Sequence, residues 1–561
     1  ILKSGADAYT ISSTSGNITA GTELIAHVDG GDLTISAPLN TAIVGIAKGG
    51  DGRLILSGTR AGTMSGAIGI TGNLEFQGAS TTLSGAISGP GGLTVNLNPG
   101  QKLILSSGAN TYSGPTVVKG GVLQVGTGWG NQGGQIGGVS GSSTASAGQG
   151  ILSNIELNGG NLALWYYSSL FLGSGPGQIQ ITGGRSGFSN YQGDAGNNMW
   201  TANSDASYEV VWGALGEGAA TGYFNPSTFV LQDSTMTNNG SYTFFKIPNR
   251  FDLNGATRTI AVDSNPNATT YSGTHLGGLL AGVIRNSSGT AGLTKTGIGV
   301  LELQGANTFN GPVTVDQGLL WVSILANGGS ASGLGMSSAD ASNLLLANGT
   351  TLRYTGGAAS TDRNFTINGT ADGDSASLNA SGTGAVNFTN TASPAYGVAN
   401  QTRSLILTGT NTGANTLAAG IADNGAGAVS LSKTGTGNWM LTGDNSYTGT
   451  TSIGAGTLTV AKAASLPGYN ASGMVTVAGG AALALRTGDG TAGWSAPQID
   501  SLRSSATWGN LTTTLVLDTT NGDFVYGSDI GEGIALSKLG ANTLTLSGAN
   551  TYPGGTSLSA G

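Results

Sequence analysis

Few side chains in this sequence can do chemistry, and their spacing decides which chemistry is open to them. Histidine occurs twice, at His27 and His275, amid Gly, Ser or apolar neighbours and without the H-x-x-x-H or H-x-E companion that a metal centre needs. Cysteine is absent, which removes thiolate ligands and any disulfide framework. Carboxylates approach one another at Asp29 with Asp32, Asp372 with Asp374 and Asp518 with Asp523, pairs that could serve polysaccharide cleavage or hold calcium weakly. Each pair lies in a Gly- or Thr-rich stretch where Asp is expected for turn geometry alone, and no Gly-Gly-x-Gly-x-Asp tandem accompanies it. No G-x-S-x-G elbow sits in a strand-to-helix setting, and the G-x-G strings are what a Gly-rich chain gives by chance. These patterns predict no catalytic residue, no cofactor and no metal site. The densest remaining candidate is the run Trp165, Tyr166 and Tyr167, whose rings could stack on sugars; consecutive strand residues point to opposite faces, so at least one is expected in the core.

The elements that must position such groups follow from composition. The chain has 561 residues with 101 Gly, only 9% charged residues and a net charge of -8. Disorder goes with low hydrophobicity and high net charge, whereas here 38% of residues are hydrophobic and the mean hydropathy is +0.06. The apolar residues alternate in short runs such as Leu301-Glu302-Leu303 and Thr457-Leu458-Thr459-Val460, the pattern of half-buried strands. No basic cluster is present to neutralise phosphates, so nucleic acid is not an expected partner. No run approaches the roughly 20 apolar residues that cross a bilayer as a helix. The first residue is Ile1, with no charged-then-apolar leader after it, which fits a processed chain or a fragment.

One motif recurs. It is centred on Asn110, Asn307, Asn445 and Asn550, each followed two residues later by Tyr112, Phe309, Tyr447 or Tyr552, and four residues later by Gly114, Gly311, Gly449 or Gly554. Eight residues past the Asn an apolar side chain returns at Val118, Val315, Ile453 and Leu558, and eleven past it a glycine returns at Gly121, Gly318, Gly456 and Gly561. Each copy reads as strand, Gly-x-Asn turn, aromatic, Gly, strand, Gly, strand. Three copies are preceded by a Lys-x-Gly step, at Lys295, Lys433 and Lys538, read as the turn feeding the first strand. A single coil cannot bury its Leu and Val, but coils stacked at about 4.8 Å bury them against like residues above and below. Gly and Asn at the corners are expected to take left-handed or strained backbone, Asn also to hydrogen-bond its own neighbours, and the aromatic to cover the corner or stack on its counterpart.

The fourfold motif with its Lys-x-Gly step resembles the autotransporter-associated β-strand repeat of bacterial type V passenger regions, in Leu293 to Val322, Thr361 to Ile367 and Leu536 to Thr556. The resemblance implies an all-β, right-handed parallel β-helix exposed outside the cell or on a bacterial surface, without a general catalytic role. The family's C-terminal membrane barrel is not in this sequence. Expected regions are solenoid coils with the first motif over 1–126, an aromatic-rich, less regular β-region with loops over 127–280, and coils with three further motifs, the last incomplete, over 281–561. The expected function is a structural stalk or fibre subunit. Two alternatives remain: an adhesin binding glycans or a neighbouring cell through the aromatic-rich region, and a polysaccharide-active enzyme, for which the chain is poorly charged. Copies of the chain are a possible partner, since Ile1-Leu2-Lys3 placed after Gly561 would restore the Gly-x-Leu spacing of the motif and join copies head to tail.

Overall fold

A computed structural model describes residues 1–14, 16–19, 21–59, 62–126, 135–136, 139–140, 153–164, 171–190, 198–199, 206–213, 223–235, 244–264, 277–488 and 493–560. The chain divides into two compact units, Ile1–Glu302 and Leu303–Gly561.

In the first unit short strands pair in parallel with the strand one coil further along the chain. One sheet runs through Tyr9–Ile11, Asp32–Ile35, Arg53–Leu56, Leu74–Gly78, Leu93–Leu97, Thr116–Gly120, Ile155–Asn158 and Gln178–Gly183. Its register aligns Ile11, Ile35, Leu56, Phe76, Val95, Val118, Leu157 and Ile181 as successive rungs of one inward ladder. From Ile35 to Val95 the step between rungs is 21, 20 and 19 residues, by subtraction of residue numbers along that register. Alternation within each strand sends these side chains to the core, as in the pattern of Asp32–Ile35, where Leu33 and Ile35 are buried. Each buried aliphatic rung contributes about 1.5–3 kcal/mol of transfer free energy. The neighbouring side of the coil is a second parallel ladder, from Thr63–Met64 through Lys102–Leu105, Val122–Val125, Asn161–Leu164, Arg185–Asn190, Thr228–Leu231 and Arg258–Ala261 to Leu293–Thr296.

Between Phe188 and Phe251 aromatic rings replace aliphatic rungs. Trp212, Phe224 and Phe229 meet edge to face at 4.9 to 5.8 Å, and Phe188 stacks on Phe245 at 5.8 Å. All of these rings are buried, so this part of the aromatic-rich stretch is core. Packing like this adds about 0.5–1.5 kcal/mol per pair beyond burial.

The second unit repeats the design. Leu320, Leu352, Leu378, Leu407, Lys433, Ile453, Val477 and Trp508 are aligned rungs of one ladder. Phe388, Leu417, Leu441, Val460, Leu485, Leu517, Lys538 and Leu558 are aligned rungs of another. A fold of parallel coils is therefore a β-solenoid, as the alternation predicts. An α-helix at Ala496–Ser505 departs from the all-β expectation, as do short 3-10 turns at Ala341–Asn343 and Ala463–Ser465. Its start was encoded locally: Gln498 Oε1 accepts the Ser495 N–H at 2.9 Å in a capping box, and Pro497 lies in the first turn. Ile499 and Leu502 bury one face, and Arg503 in the last turn donates to Glu532 Oε1 at 2.7 Å and to the Tyr526 hydroxyl at 2.6 Å.

Candidate functional site: the stapled repeat corner

The motif asparagines do not take left-handed backbone; among the described residues the non-glycine residues with positive φ are Tyr223, Gln232, Asn254 and Asn400. That expectation is corrected by what the amide does instead. Asn445 is buried, its Oδ1 accepts the Ile421 N–H of the preceding coil at 2.7 Å, and its Nδ2 donates to Ser465 O of the following one at 2.7 Å. Asn110 Oδ1 accepts the Ile87 N–H at 2.8 Å while its Nδ2 donates to Ser107 O, and Asn550 does the same with Ile530 at 3.0 Å and Gly548. Asn307 donates from Nδ2 to Gly333 O at 3.1 Å. Corner residues leave the strand ladders, so their backbone groups need side-chain partners, and an amide carries both donor and acceptor. Asn415, outside the four motifs, does the same job, linking the Val386 N–H and Asn438 O at 3.0 and 2.8 Å.

The aromatic likewise goes inward rather than over the corner: Tyr112, Phe309 and Tyr447 are buried. The Tyr112 hydroxyl pairs with Thr116 Oγ1 at 2.7 Å, Tyr447 with Thr451 at 2.7 Å and Tyr552 with Thr556 at 2.6 Å. Where the motif has Phe309 the residue four further on is Val313, so hydroxyl and partner are lost together and no buried oxygen is orphaned. Burial pushes the Tyr447 phenol up to about 12, against the Thr451 hydrogen bond, and raises Tyr112 likewise.

The glycines serve two needs. At Gly114, Gly449 and Gly554 the backbone of the preceding coil passes so close that an added Cβ would collide with it; at Gly554 the nearest atom would be 2.5 Å away. Gly121, Gly318 and Gly456 have φ of +66°, +69° and +63°, the left-handed region the motif predicts for them. Gly311 is buried, and Gly561 falls outside the described residues.

Sequence reading missed the role of the lysines. Lys3, Lys48, Lys295, Lys433 and Lys538 all face inward and are buried. Lys433 Nζ donates to Thr434 O at 2.8 Å and Gly435 O at 2.9 Å in its own corner, and to Ala455 O of the next coil at 3.0 Å. Lys538 donates to Gly540 O and, across the coils, to Ala560 O at 2.7 Å; Lys3 donates to Gly5 O and to Gly30 O at 2.7 Å. Lys295 caps Thr296 O and Gly297 O, and Lys48 caps Gly50 O. Burial pulls Lys433 down to about 8 and Lys295 to about 7, the latter opposed by Asp263. The visible signal was the step itself, a lysine in an alternating run two residues before a glycine of positive φ, at Gly5, Gly50, Gly297, Gly435 and Gly540.

The chemical candidates stay apart or are spent locally. His27 Nε2 lies 2.9 Å from Asp29 Oδ1, half exposed, and His275 lies outside the described residues, as do Trp165, Tyr166 and Tyr167. Asp32 holds Arg53 at 2.6 Å, which keeps the Asp32 carboxyl below its usual range, and Asp374 accepts the Thr370 and Ala371 N–H groups. Asp372 accepts the Thr402 N–H at 2.8 Å, Asp518 faces Arg486 and caps Thr520, and Asp523 accepts the Thr543 N–H. Among the described residues no three His, Cys, Asp or Glu side chains gather where they could hold a metal, and no helix is long and apolar enough to cross a membrane.

Fold and corner together define a parallel β-solenoid whose coils are held at recurrent corners by side chain to backbone staples. The passenger-associated-transport-repeat family matches residues 101–125, 293–322, 431–460 and 536–561, the four copies built around those corners. Over 187 residues, 33% of the chain, the sequence is 44% identical to the adhesin BmaC autotransporter of Brucella suis biovar 1 (strain 1330), and the match covers 5% of that protein's length. No solved structure matches. The chain carries four passenger-associated-transport repeats and is similar over a third of its length to an autotransporter adhesin, which indicates an exported protein at the cell surface or outside the cell.

Proposed function

We propose that this chain is a non-catalytic presenting segment of a surface adhesin, a stack of coils that holds an outward surface for contact with another cell or matrix. The observation that carries this reading is where the ionisable groups go. Lys433, Lys538 and Arg403 cap corner carbonyls, while Asp374 and Asp518 cap turns, so these groups serve the backbone, and Arg503, Glu532 and Asp500 are tied up in ion pairs with one another. The similarity to an autotransporter adhesin supports the same reading, though it spans a small part of that protein.

The test uses beads coated with the purified chain. Attachment to host cells above that of albumin-coated beads is expected, and equal attachment overturns the adhesin reading. Incubation with a panel of polysaccharides is expected to release no new reducing or unsaturated ends; product from any of them overturns the non-catalytic reading. Glycan binding through residues 127–280 and association between copies extend the proposal, and a glycan array and light scattering across a concentration series read them separately.

A further inference from the structure

We propose that the buried corner lysines that reach a neighbouring coil, Lys3, Lys433 and Lys538, are register keys: each one specifies which coil stacks on its own, and it does so for specificity rather than for stability. The hazard they answer is inherent in the ladders. Leu407, Ile453 and Val477 are rungs of one column and differ by little in volume, so an aliphatic rung accepts the wrong neighbour almost as well as the right one.

A lysine rung is not interchangeable in this way. Lys433 lies between Leu407 and Ile453, Lys48 between Ala26 and Ile70, and Lys538 between Leu517 and Leu558. Its ammonium is three donors with no acceptor, and it must find oxygen in an otherwise apolar column. The next coil supplies two things at matched positions. One is a carbonyl 22 residues on, Ala455 O for Lys433 and Ala560 O for Lys538. The other is a corner without a Cβ: at Gly456 an added Cβ would sit 2.8 Å from Lys433 Nζ, and at Gly31 it would sit 2.6 Å from Lys3 Nζ. A coil lacking either takes away the cross-coil acceptor or the space beside it and leaves the ammonium only the carbonyls of its own corner. The parallel register of the first unit shifts by one residue after Val95, where the exposed Lys119 is passed over, and after Leu157, while the buried rungs Lys3, Lys48, Lys433 and Lys538 pair without a shift. A polar residue that fixes register at a cost in stability is the role of a lone buried Asn in a coiled coil.

The chain has no cysteine, so disulfide trapping reads register cleanly. Ser432, Ser452 and Thr476 are aligned rungs of an outward column. Neighbouring rungs about 4.8 Å apart can be bridged, whereas rungs two apart lie beyond the roughly 7 Å limit. The experiment refolds the full chain carrying S432C/S452C, the native reporter, or S432C/T476C, the slipped reporter, with Lys433 or with K433M. With Lys433 only the native reporter is expected to cross-link. With K433M the slipped cross-link is expected to rise at least threefold, with a melting temperature equal to or above that of the parent. A K433M protein that keeps the parent's cross-link ratio overturns the proposal. So does one that fails to refold, because the lysine would then be a stability element.

Discussion

Replacing Asn445 by Leu tests the corner most directly, because Leu is close to Asn in shape and removes only the amide. Asn445 joins the Ile421 N–H and Ser465 O at 2.7 Å each, and its side chain is almost wholly out of solvent. In N445L both backbone groups stay buried without a partner, at about 1–3 kcal/mol apiece. The extra methyl surface of Leu returns about 1 kcal/mol through burial, leaving an expected net loss of about 1–5 kcal/mol. Stacked coils open locally, so the sharper readout is hydrogen exchange at Ile421, whose amide would exchange about 5- to 5000-fold faster if opening becomes easier by that amount. Urea unfolding followed by tryptophan fluorescence gives the global figure. N445D separates the two bonds: it keeps an acceptor for Ile421 but sets a carboxylate against Ser465 O. Its folded pKa would lie above the unfolded value, so its stability is closest to the parent at acid pH and is lost as pH rises through that folded pKa. If N445L falls within 1 kcal/mol of the parent and Ile421 exchanges at the parent rate, the staple is not what holds this corner.

The tyrosine pair predicts non-additivity: Y447F leaves Thr451 Oγ1 without its partner and should lose about 1–2 kcal/mol, whereas Y447F/T451V, which recreates the pair Phe309 and Val313, should return near the parent in denaturant unfolding. Stability should rise with pH from about 8 to 10.5, because Lys433 titrates near 8 folded and 10.5 unfolded, so the unfolded chain binds more protons there. Lys433 contributes about 3 kcal/mol of that rise at most, and K433M should remove that part while the part due to Lys295, which titrates near 7 folded, remains. Above pH 10 the sign reverses, since Tyr447 folded holds its proton to about 12 and the unfolded phenol loses it near 10; Y447F should flatten this fall in pH-dependent melting. G449A should cost more than 2 kcal/mol, because its Cβ would meet Val429 C at 2.6 Å on the preceding coil.

The local half of this architecture can be read along the chain. Alternation in Leu301-Glu302-Leu303 and Thr457 to Val460 marks the strands Val300–Leu303 and Thr457–Val460, and Gly456 marks a left-handed corner. What the alternation does not carry is the partner of each corner group, which lies one coil away, at Ile421 for Asn445 and Ala455 for Lys433. The coil length varies because loops and the helix Ala496–Ser505 are inserted: Leu483 aligns with Leu515, 32 residues on by subtraction, but Leu536 with Thr556, only 20 on. Without a fixed period no sequence offset points from donor to acceptor. The helix itself was legible from Ser495, Pro497 and Gln498, but a capping box is easily passed over in a chain where Ser and Gln occur mostly in turns.

Beside the stapling asparagines, one rule accounts for the cations and indoles that enter the core. A strand ladder satisfies both backbone groups, but where the chain turns a corner the ladder stops and carbonyl oxygens face inward with nothing opposite them. The side chains that fit such a place are donors with no acceptor of their own to satisfy, namely Lys, Arg and the indole N–H. Trp212, Trp439 and Trp494 each donate Nε1 to a backbone carbonyl, of Pro226, Thr408 and Val460. Arg403 is buried and donates to Gly369, Ala371, Val398 and Thr402 carbonyls, and Arg363 to those of Ala326, Ser330, Ser337 and Gly335. The lysine rungs obey the same rule. A chain with so few charged residues therefore places many of its cations inside, where each answers an excess of carbonyl oxygen, and its outer columns are left to uncharged residues such as Thr351, Ser377, Ser432, Ser452 and Thr476.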